Sequence, residues 1–405
     1  MDSSANYICA FRGRRDYYQV PIALAEVGIL EEFITDAYAG RTARSVAPIL
    51  PERLRQKLDF RFDPSLPADR VRSIWSSSIV EQLRHGVGFA PSVTYAKLDR
   101  HFGSAVAVQA RRRKCNLLIY SHYAWEAFTQ RYQHTPKKVL FQFHPHPDFE
   151  RRILADDSRK YSLARQSFAS ETGEYVSEEL KERTRDIWKH ADLILCASSF
   201  TRRSLLEAGA EDGRCKVIPY GIDVPRIQAN SASARFTALF VGTGNQRKGL
   251  HHLLLAWRQA RLAEGSRLVL VCRVIDRSIA ALVKDTPSVV LVPGVESARL
   301  QELFETSSVL VLPSLVEGFG QVYLEALARG CPVVGTPHTA LPDLRTEGDP
   351  IWLTEPGQID QLVSVLESLS ATLPGDPHVR LRAQACAMRW SWERFRSALR
   401  AALQN

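Results

Sequence analysis

The sequence predicts an α/β protein of two domains, each a parallel sheet covered by helices. Three observations carry this. The chain has 405 residues, enough for two domains of ordinary size. Short apolar runs closed by turn residues alternate along it with longer runs of helical period. Residues 307–343 hold one complete unit of strand, glycine-containing turn, helix and strand.

Composition sets the outer bounds. A hydrophobic share of 45% and a charged share of 24% are those of an ordinary globular protein, so neither disorder nor a fibrous repeat is indicated. No run approaches the roughly 20 apolar residues that span a bilayer. The opening MDSSANYICAFRGRR lacks a leader layout, because its apolar piece is short and arginines follow it. Seven cysteines without a C-x-x-C spacing argue against a disulfide framework or a zinc site, and a reducing, cytoplasmic location is the simplest reading. Of the net charge of +9, residues 1–222 carry +7. A basic N-terminal half suits an anionic membrane surface or an acidic ligand, and equally a solvated surface.

In chain order, Tyr7–Phe11 reads as the first strand and Tyr18–Val27 as the first helix, joined by the arginine-rich loop RGRRDYY. Residues 40–110 are polar and irregular, with helical pieces and prolines at 48, 51, 64, 67 and 91. Asn116–Tyr120 and Val139–Phe143 are strands that run into Ser121-His122-Tyr123 and His144-Pro145-His146-Pro147. In open parallel sheets ligands sit beyond the carboxyl ends of strands, which is where His122 and His144 fall. A metal role for His144-x-His146 has no further ligand spacing behind it, whereas a structural role bonded to loop backbone stays open. Residues 150–190 are charged and helical, Asp192–Ala197 is a strand, a helix begins near Thr201, and Ile218–Asp223 reads as strand and linker.

The second half opens with the strand Thr237–Val241, the loop Gly242–Gly249 and the helix Leu250–Arg261. Backbone N–H groups at a helix start, with Arg247 and Lys248 beside them, are what a diphosphate asks for, although the spacing is not that of a Walker loop. Strands Leu268–Cys272 and Val289–Val292 and the helix Leu300–Ser307 lead to the strand Val309–Leu312. Next come Glu317-Gly318-Phe319-Gly320, the helix Gln321–Arg329 with Gly330 as its stop, and the strand Pro332–Gly335. Glycines at 318 and 320 let backbone approach a ligand closely, and ionised Glu317 and Glu325 are acceptors suited to sugar hydroxyls. On spacing alone, a helix-start charge and a solvated helix residue explain this pair equally well. The tail Arg380–Asn405 is helical, with Trp390 and Trp392 as packing anchors.

Glu317 and Glu325, in the setting PSLVEGFGQVYLEALARGCPVV, resemble the E-x7-E motif of family-4 (group 1) glycosyltransferases, retaining enzymes of the GT-B fold. FVGTGNQRKGLHHLLLAW is similar to the family's phosphate-binding segment, and ADLILCASSFTRRSLLEAGA to the close of its first domain. The resemblance implies two Rossmann-like domains facing across a cleft: residues 1–222 on the acceptor side, 223–385 binding the donor, and 386–405 a helix crossing back. It implies metal-independent transfer of a sugar from a nucleotide diphosphate sugar to a carbohydrate, lipid or small-molecule acceptor that the sequence does not identify. Arg247, Lys248 and the Gly318–Gly320 backbone would stabilise the leaving diphosphate, Glu317 the donor sugar and Glu325 the ribose. His144 would position the reacting groups, with His146 the alternative if the register slips. Gly242, Gly244 and Phe319 would line the donor site, Gly294 and Val295 would meet the base, and Arg273 would lie near the nucleotide. No cofactor or metal is expected.

The first loop departs from the family, where a glycine pair is common; here Gly13 stands among arginines, which are open to a phosphorylated acceptor or to solvent. Residues 40–110 are expected to be an acceptor-facing insertion. Location is cytoplasmic, with peripheral contact at the inner membrane face left open. A nucleotide-sugar epimerase of the same fold is a second reading, although the first half lacks an obvious acid/base carboxylate cluster. A non-catalytic basic nucleic-acid-binding protein is a third; no recognition motif supports it, and no nucleic-acid partner is expected.

Overall fold

The computed structural model describes residues 6–40, 51–74, 91–174, 176–226, 235–376 and 378–404. Two wholly parallel sheets organise them. The first contains β1 (Tyr7–Ala10), β2 (Leu30–Thr35), β3 (Val71–Ser73), β4 (Asn116–Tyr120), β5 (Lys138–Gln142), β6 (Leu193–Cys196) and β7 (Cys215–Val217), in the spatial order 3-2-1-4-5-6-7. The second contains β8 (Thr237–Val241), β9 (Arg267–Val271), β10 (Val289–Val292), β11 (Val309–Val311), β12 (Val333–Gly335) and β13 (Ile351–Leu353), in the order 10-9-8-11-12-13. Strands buried on both faces need continuous apolar runs, and Ile8–Ala10, Leu117–Tyr120 and Val309–Val311 are all removed from solvent.

Each sheet reverses its winding once, between β1 and β4 in the first and between β8 and β11 in the second. Such switch points open a crevice at the carboxyl ends of the strands. The loops after β1, β4, β8 and β11 therefore border two crevices.

Several elements differ from expectation. β2, LEEFIT, carries two glutamates inside an apolar run; Arg72 on neighbouring β3 reaches Glu32 at 2.7 Å, which lets the strand enter the sheet. The strand expected within Ile218–Asp223 is instead Cys215–Val217, and residues 218–223 belong to no strand. In the region expected to be an acceptor-facing insertion, Glu52–Phe60 and Pro91–Arg112 are helices and Val71–Ser73 extends the sheet. Residues 41–50 and 75–90 of that expectation, Pro48 included, lie outside the described residues.

The tail forms two helices, Val379–Met388 and Trp392–Gln404. The last one lies along the helix Gln19–Glu26 of the first sheet, where Arg396 reaches Glu26 at 2.9 Å and Gln19 at 2.6 Å. Trp390 and Trp392 are both buried, as anchors should be. On its way back the chain runs beside its own outward path: Ile222 N–H donates to Trp390 O at 2.8 Å, and a Cβ on Gly221 would stand 2.5 Å from Ser391 backbone.

A second contact between the sheets is made by the helices Pro147–Lys160 and Arg165–Glu171, which lean onto the second sheet's loops. Ser167 Oγ accepts from Gln246 N–H at 2.7 Å, and Ser278 Oγ donates to Leu163 O at 2.6 Å. Among the described residues no helix is long and apolar enough to cross a membrane.

Candidate active site

The loop after β8 and the loop after β11 are laced together at the second switch point. Leu315 N–H donates to Arg247 O at 2.9 Å. Gly249 caps the helix Leu250–Gln259 with φ 68°, and a Cβ there would stand 2.0 Å from Pro313 O, so both the angle and the space demand glycine. Gly244 pairs with Ile275 as an isolated bridge, and its missing side chain leaves room for the isoleucine. Gly242 passes Lys248, whose Cε would lie 3.9 Å from an added Cβ.

This lacing brings Arg247, Lys248 and Glu317 into one cluster. Lys248 Nζ pairs with Glu317 Oε2, and Arg247 reaches the same oxygen at 3.4 Å. Arg247 Nε also donates to Glu171 Oε2 at 2.9 Å and lies 3.9 Å from Glu150. Burial works to raise the Glu317 carboxyl, but Lys248 and Arg247 outweigh it and hold it at about 2. Burial lowers the Lys248 ammonium and Glu317 only partly restores it. Arg247 stays charged: burial opposes its charge, and Glu317, Glu171 and Glu150 more than compensate. Glu150 goes the other way, pushed by burial to about 7 despite Arg247.

The first sheet meets this cluster through Gly318. Its O accepts from Ser198 Oγ at 2.5 Å and from Thr201 Oγ1 at 3.2 Å, and its Cα faces Phe143 O and His144. His144 therefore stands across from Glu317 and Arg247. Its ring is 6.1 Å from that of His122. Burial, then Arg247 and His122, depress the His144 imidazole far below its ordinary value, so it is neutral at any physiological pH. His122 is pushed down to about 3 by burial and by Arg15. His146 has a structural task instead: its Nδ1 accepts from Asp148 N–H at 3.3 Å, capping the helix Pro147–Lys160, and Nε2 lies 3.0 Å from Arg185 O. A cavity of about 330 Å³ opens beside His144, lined by His122, Gln142, Glu150, Glu171 and Arg247 among others.

The remaining expected residues lie around this centre. Gly320, φ 85°, starts the helix Gln321–Ala328 with Glu317 Cγ 3.3 Å from where its Cβ would be. Phe319 is buried, its ring 4.9 Å from Tyr220. Glu325 makes no hydrogen bond to the described residues, and burial raises its carboxyl. Arg273 packs on Gly294, next to Val295, beyond the ends of β9 and β10. Glu150 and Glu171, which hold Arg247, were not foreseen. They lie in the charged 150–190 stretch, and nothing local separates them from solvated glutamates.

The arginine-rich loop after β1 is not a solvated face. Arg12 pairs with Asp99 at 2.9 Å, and Arg15 lies over the Phe143 ring at 4.0 Å with its Nη2 donating to the Tyr123 hydroxyl at 3.1 Å. Asp16, Tyr17 and Tyr18 all have left-handed φ, of 38°, 52° and 63°, a run that costs backbone strain. Asp16 accepts from Tyr120 OH at 2.8 Å, and burial lifts its carboxyl to about 7 against Tyr120 and Arg15.

Residues 235–372 match the family described as Glycosyl transferases group 1. An α-(1→4)-mannosyltransferase of Mycolicibacterium hassiacum is 27% identical over 189 residues, 44% of this chain and 45% of that protein. D-inositol 3-phosphate glycosyltransferase of Pseudarthrobacter chlorophenolicus is 30% identical over 184 residues, 39% of this chain and 44% of that one. The chain spans about half the length of the curated relatives it matches. Among solved structures, sucrose-phosphate synthase of Thermosynechococcus elongatus superimposes with a TM-score of 0.65 at 18% identity, covering 97% of this chain and 96% of that one. HepE of Anabaena, in complex with UDP and glucose, gives 0.59 at 16% identity over 99% of both chains. The chain thus has the two-sheet GT-B fold throughout, and its residues 235–372 match the Glycosyl transferases group 1 family.

Proposed function

We propose that the protein is a retaining, metal-independent glycosyltransferase that moves a sugar from a nucleotide diphosphate sugar to an acceptor held by residues 1–222. The observation that carries this reading is the sharing of Glu317 by Arg247 and Lys248 at the switch point opposite His144. Two half-buried cations beside a helix start form a fixed positive end, suited to the charge that gathers on a departing diphosphate. Such a diphosphate takes over Arg247 and Lys248 from the carboxylates that now hold them. Glu317 is then released toward the donor sugar hydroxyls, Glu325 takes the ribose, and the base rests near Gly294, Val295 and Arg273. His144, neutral, donates or accepts one hydrogen bond between donor sugar and acceptor without carrying charge to the site.

The donor base is the first thing to measure. HepE was solved with UDP and with UDP-glucose, so uridine donors head the screen. The test is a thermal-shift series with UDP-, GDP- and ADP-sugars on the wild type and on Arg247→Ala/Lys248→Ala. A rise with one nucleotide class, absent in the double variant, is expected. No rise with any donor removes the reading.

A further inference from the structure

Outside the cluster just described, one group of ligating side chains among the described residues is fully enclosed. We propose that Asp157, His251 and His252 bind one transition-metal ion, zinc(II), which fastens the helix Pro147–Lys160 to the helix Leu250–Gln259 behind the loop Gly242–Gly249. This does not depend on the glycosyltransferase reading.

All three side chains are cut off from water: Asp157 is 6% exposed, His251 0% and His252 2%. Asp157 Oδ2 lies 3.1 Å from His251 Nε2, and Oδ1 lies 2.8 Å from His252 Nε2. One ligand atom from each residue falls within 4.8 Å of the others. Zinc takes imidazole nitrogen and carboxylate oxygen at about 2.0–2.1 Å, which sets tetrahedral ligand atoms about 3.3 Å apart. The three ligand atoms, within 4.8 Å of one another, thus already stand close to the spacing that one shared ion would set.

The hydrogen bonding is incomplete without it. His252 Nε2 stands 2.8 Å from Asp157 Oδ1 yet makes no hydrogen bond. Buried polar atoms in that condition are costly and uncommon. A cation on the two Nε2 lone pairs accounts for the convergence of both rings on one carboxylate.

The surroundings support a metal-binding carboxylate. Gln246 Nε2 donates to Asp157 Oδ2 and to Leu154 O, each at 2.8 Å, which fixes the orientation of the carboxylate as an outer partner does in zinc centres. Gln246 Oε1 is buried and unpartnered. The Tyr161 ring closes over both imidazoles at 5.5 and 5.0 Å. Two imidazoles and one carboxylate suit zinc, whereas magnesium and calcium prefer all-oxygen sets. Two adjacent histidines match no ligand spacing, and the aspartate is 94 residues away from His251, so the sequence carries no trace of the site.

The test uses the full chain, stripped with chelator and titrated with zinc chloride alone. One equivalent should bind by calorimetry, and at a hundredfold excess over the dissociation constant the melting midpoint should rise by roughly 4 °C. His252→Gln and Asp157→Asn should each weaken binding at least thirtyfold; if Asp157→Asn does not fold, His252→Gln decides. No heat and no shift in the folded wild type would overturn the proposal, leaving a carboxylate that merely faces two imidazoles. Equal binding by wild type and His252→Gln would overturn it too, because the zinc would then lie elsewhere.

Discussion

Gly318 stands so close to Phe143 that a methyl group on its Cα would lie 1.8 Å from the phenylalanine carbonyl oxygen. The two sheets meet backbone to backbone at this point, with His144 next in line. Gly318→Ala should force them apart at a cost of about 1–3 kcal/mol, the usual range for overpacking. Transfer should fall at least tenfold while nucleotide binding to the second sheet persists. Melting curves and nucleotide titration on the one variant check both halves, and unchanged turnover would mean the approach is not needed for chemistry.

Glu317→Gln leaves Lys248 without its carboxylate and removes one of the three around Arg247. Breaking a buried ion pair from one side costs about 3 kcal/mol. The free nucleoside diphosphate should nonetheless bind as well or better, since its competitor for the cations is gone, and sugar transfer should drop by about a hundredfold. Weaker nucleotide binding would count against the exchange of partners proposed for the site.

Acid should act through the same residue. The folded carboxyl lies at about 2, below its ordinary 4.5. A lowered acid contributes stability that is full above 4.5 and is lost as pH falls toward 2. Glu317→Gln should therefore flatten the wild-type loss of stability over that acid range, as read by urea unfolding at stepped pH.

Glu150 predicts the opposite slope at higher pH. Its folded carboxyl is raised from 4.5 to about 7, so the native state holds the proton more tightly than the unfolded chain. Stability should fall as pH climbs from 5 to 7.5, by on the order of 3 kcal/mol. Asp16, raised to about 7, adds to the same window. Glu150→Gln should remove part of the slope, and Glu150→Gln/Asp16→Asn a larger part of it.

His144→Ala should lower the turnover rate by about a hundredfold and leave nucleotide affinity within about threefold. Because the imidazole is neutral throughout, no limb near pH 6.5 in the turnover profile should vanish with the substitution. A variant that fails to fold would return His144 to a packing role.

The sheet-building runs and the pairing of Arg247 and Lys248 with a glycine loop were legible because each is a local pattern: period, turn residue, helix start. Glu317 was legible for the same reason. The sequence did not show what neutralises whom. β2 was overlooked because Glu31 and Glu32 break its apolar run, and it takes Arg72, 40 residues on, with Arg113 farther off, to make Glu32 tolerable in a sheet. Glu171 reaches Arg247 from 76 residues away, through a helix that belongs to one sheet and leans on the other. Charge pairing across such distances leaves no periodic mark. The arginine loop misled for a related reason, because Arg12 and Arg15 are occupied by Asp99, Tyr123 and Phe143 instead of facing water.

The chain passes between its two halves twice, and the outward and returning strands touch at Gly221 and Ser391. A lone tether would behave as a ball joint, free to bend and to swivel. Two tethers clasped side by side behave as a door hinge, which swings in one plane and resists torsion. Each opening of the cleft should thus return His144 to the same face of Glu317, so that alignment is kept by the wiring of the backbone and need not be found again at every turnover.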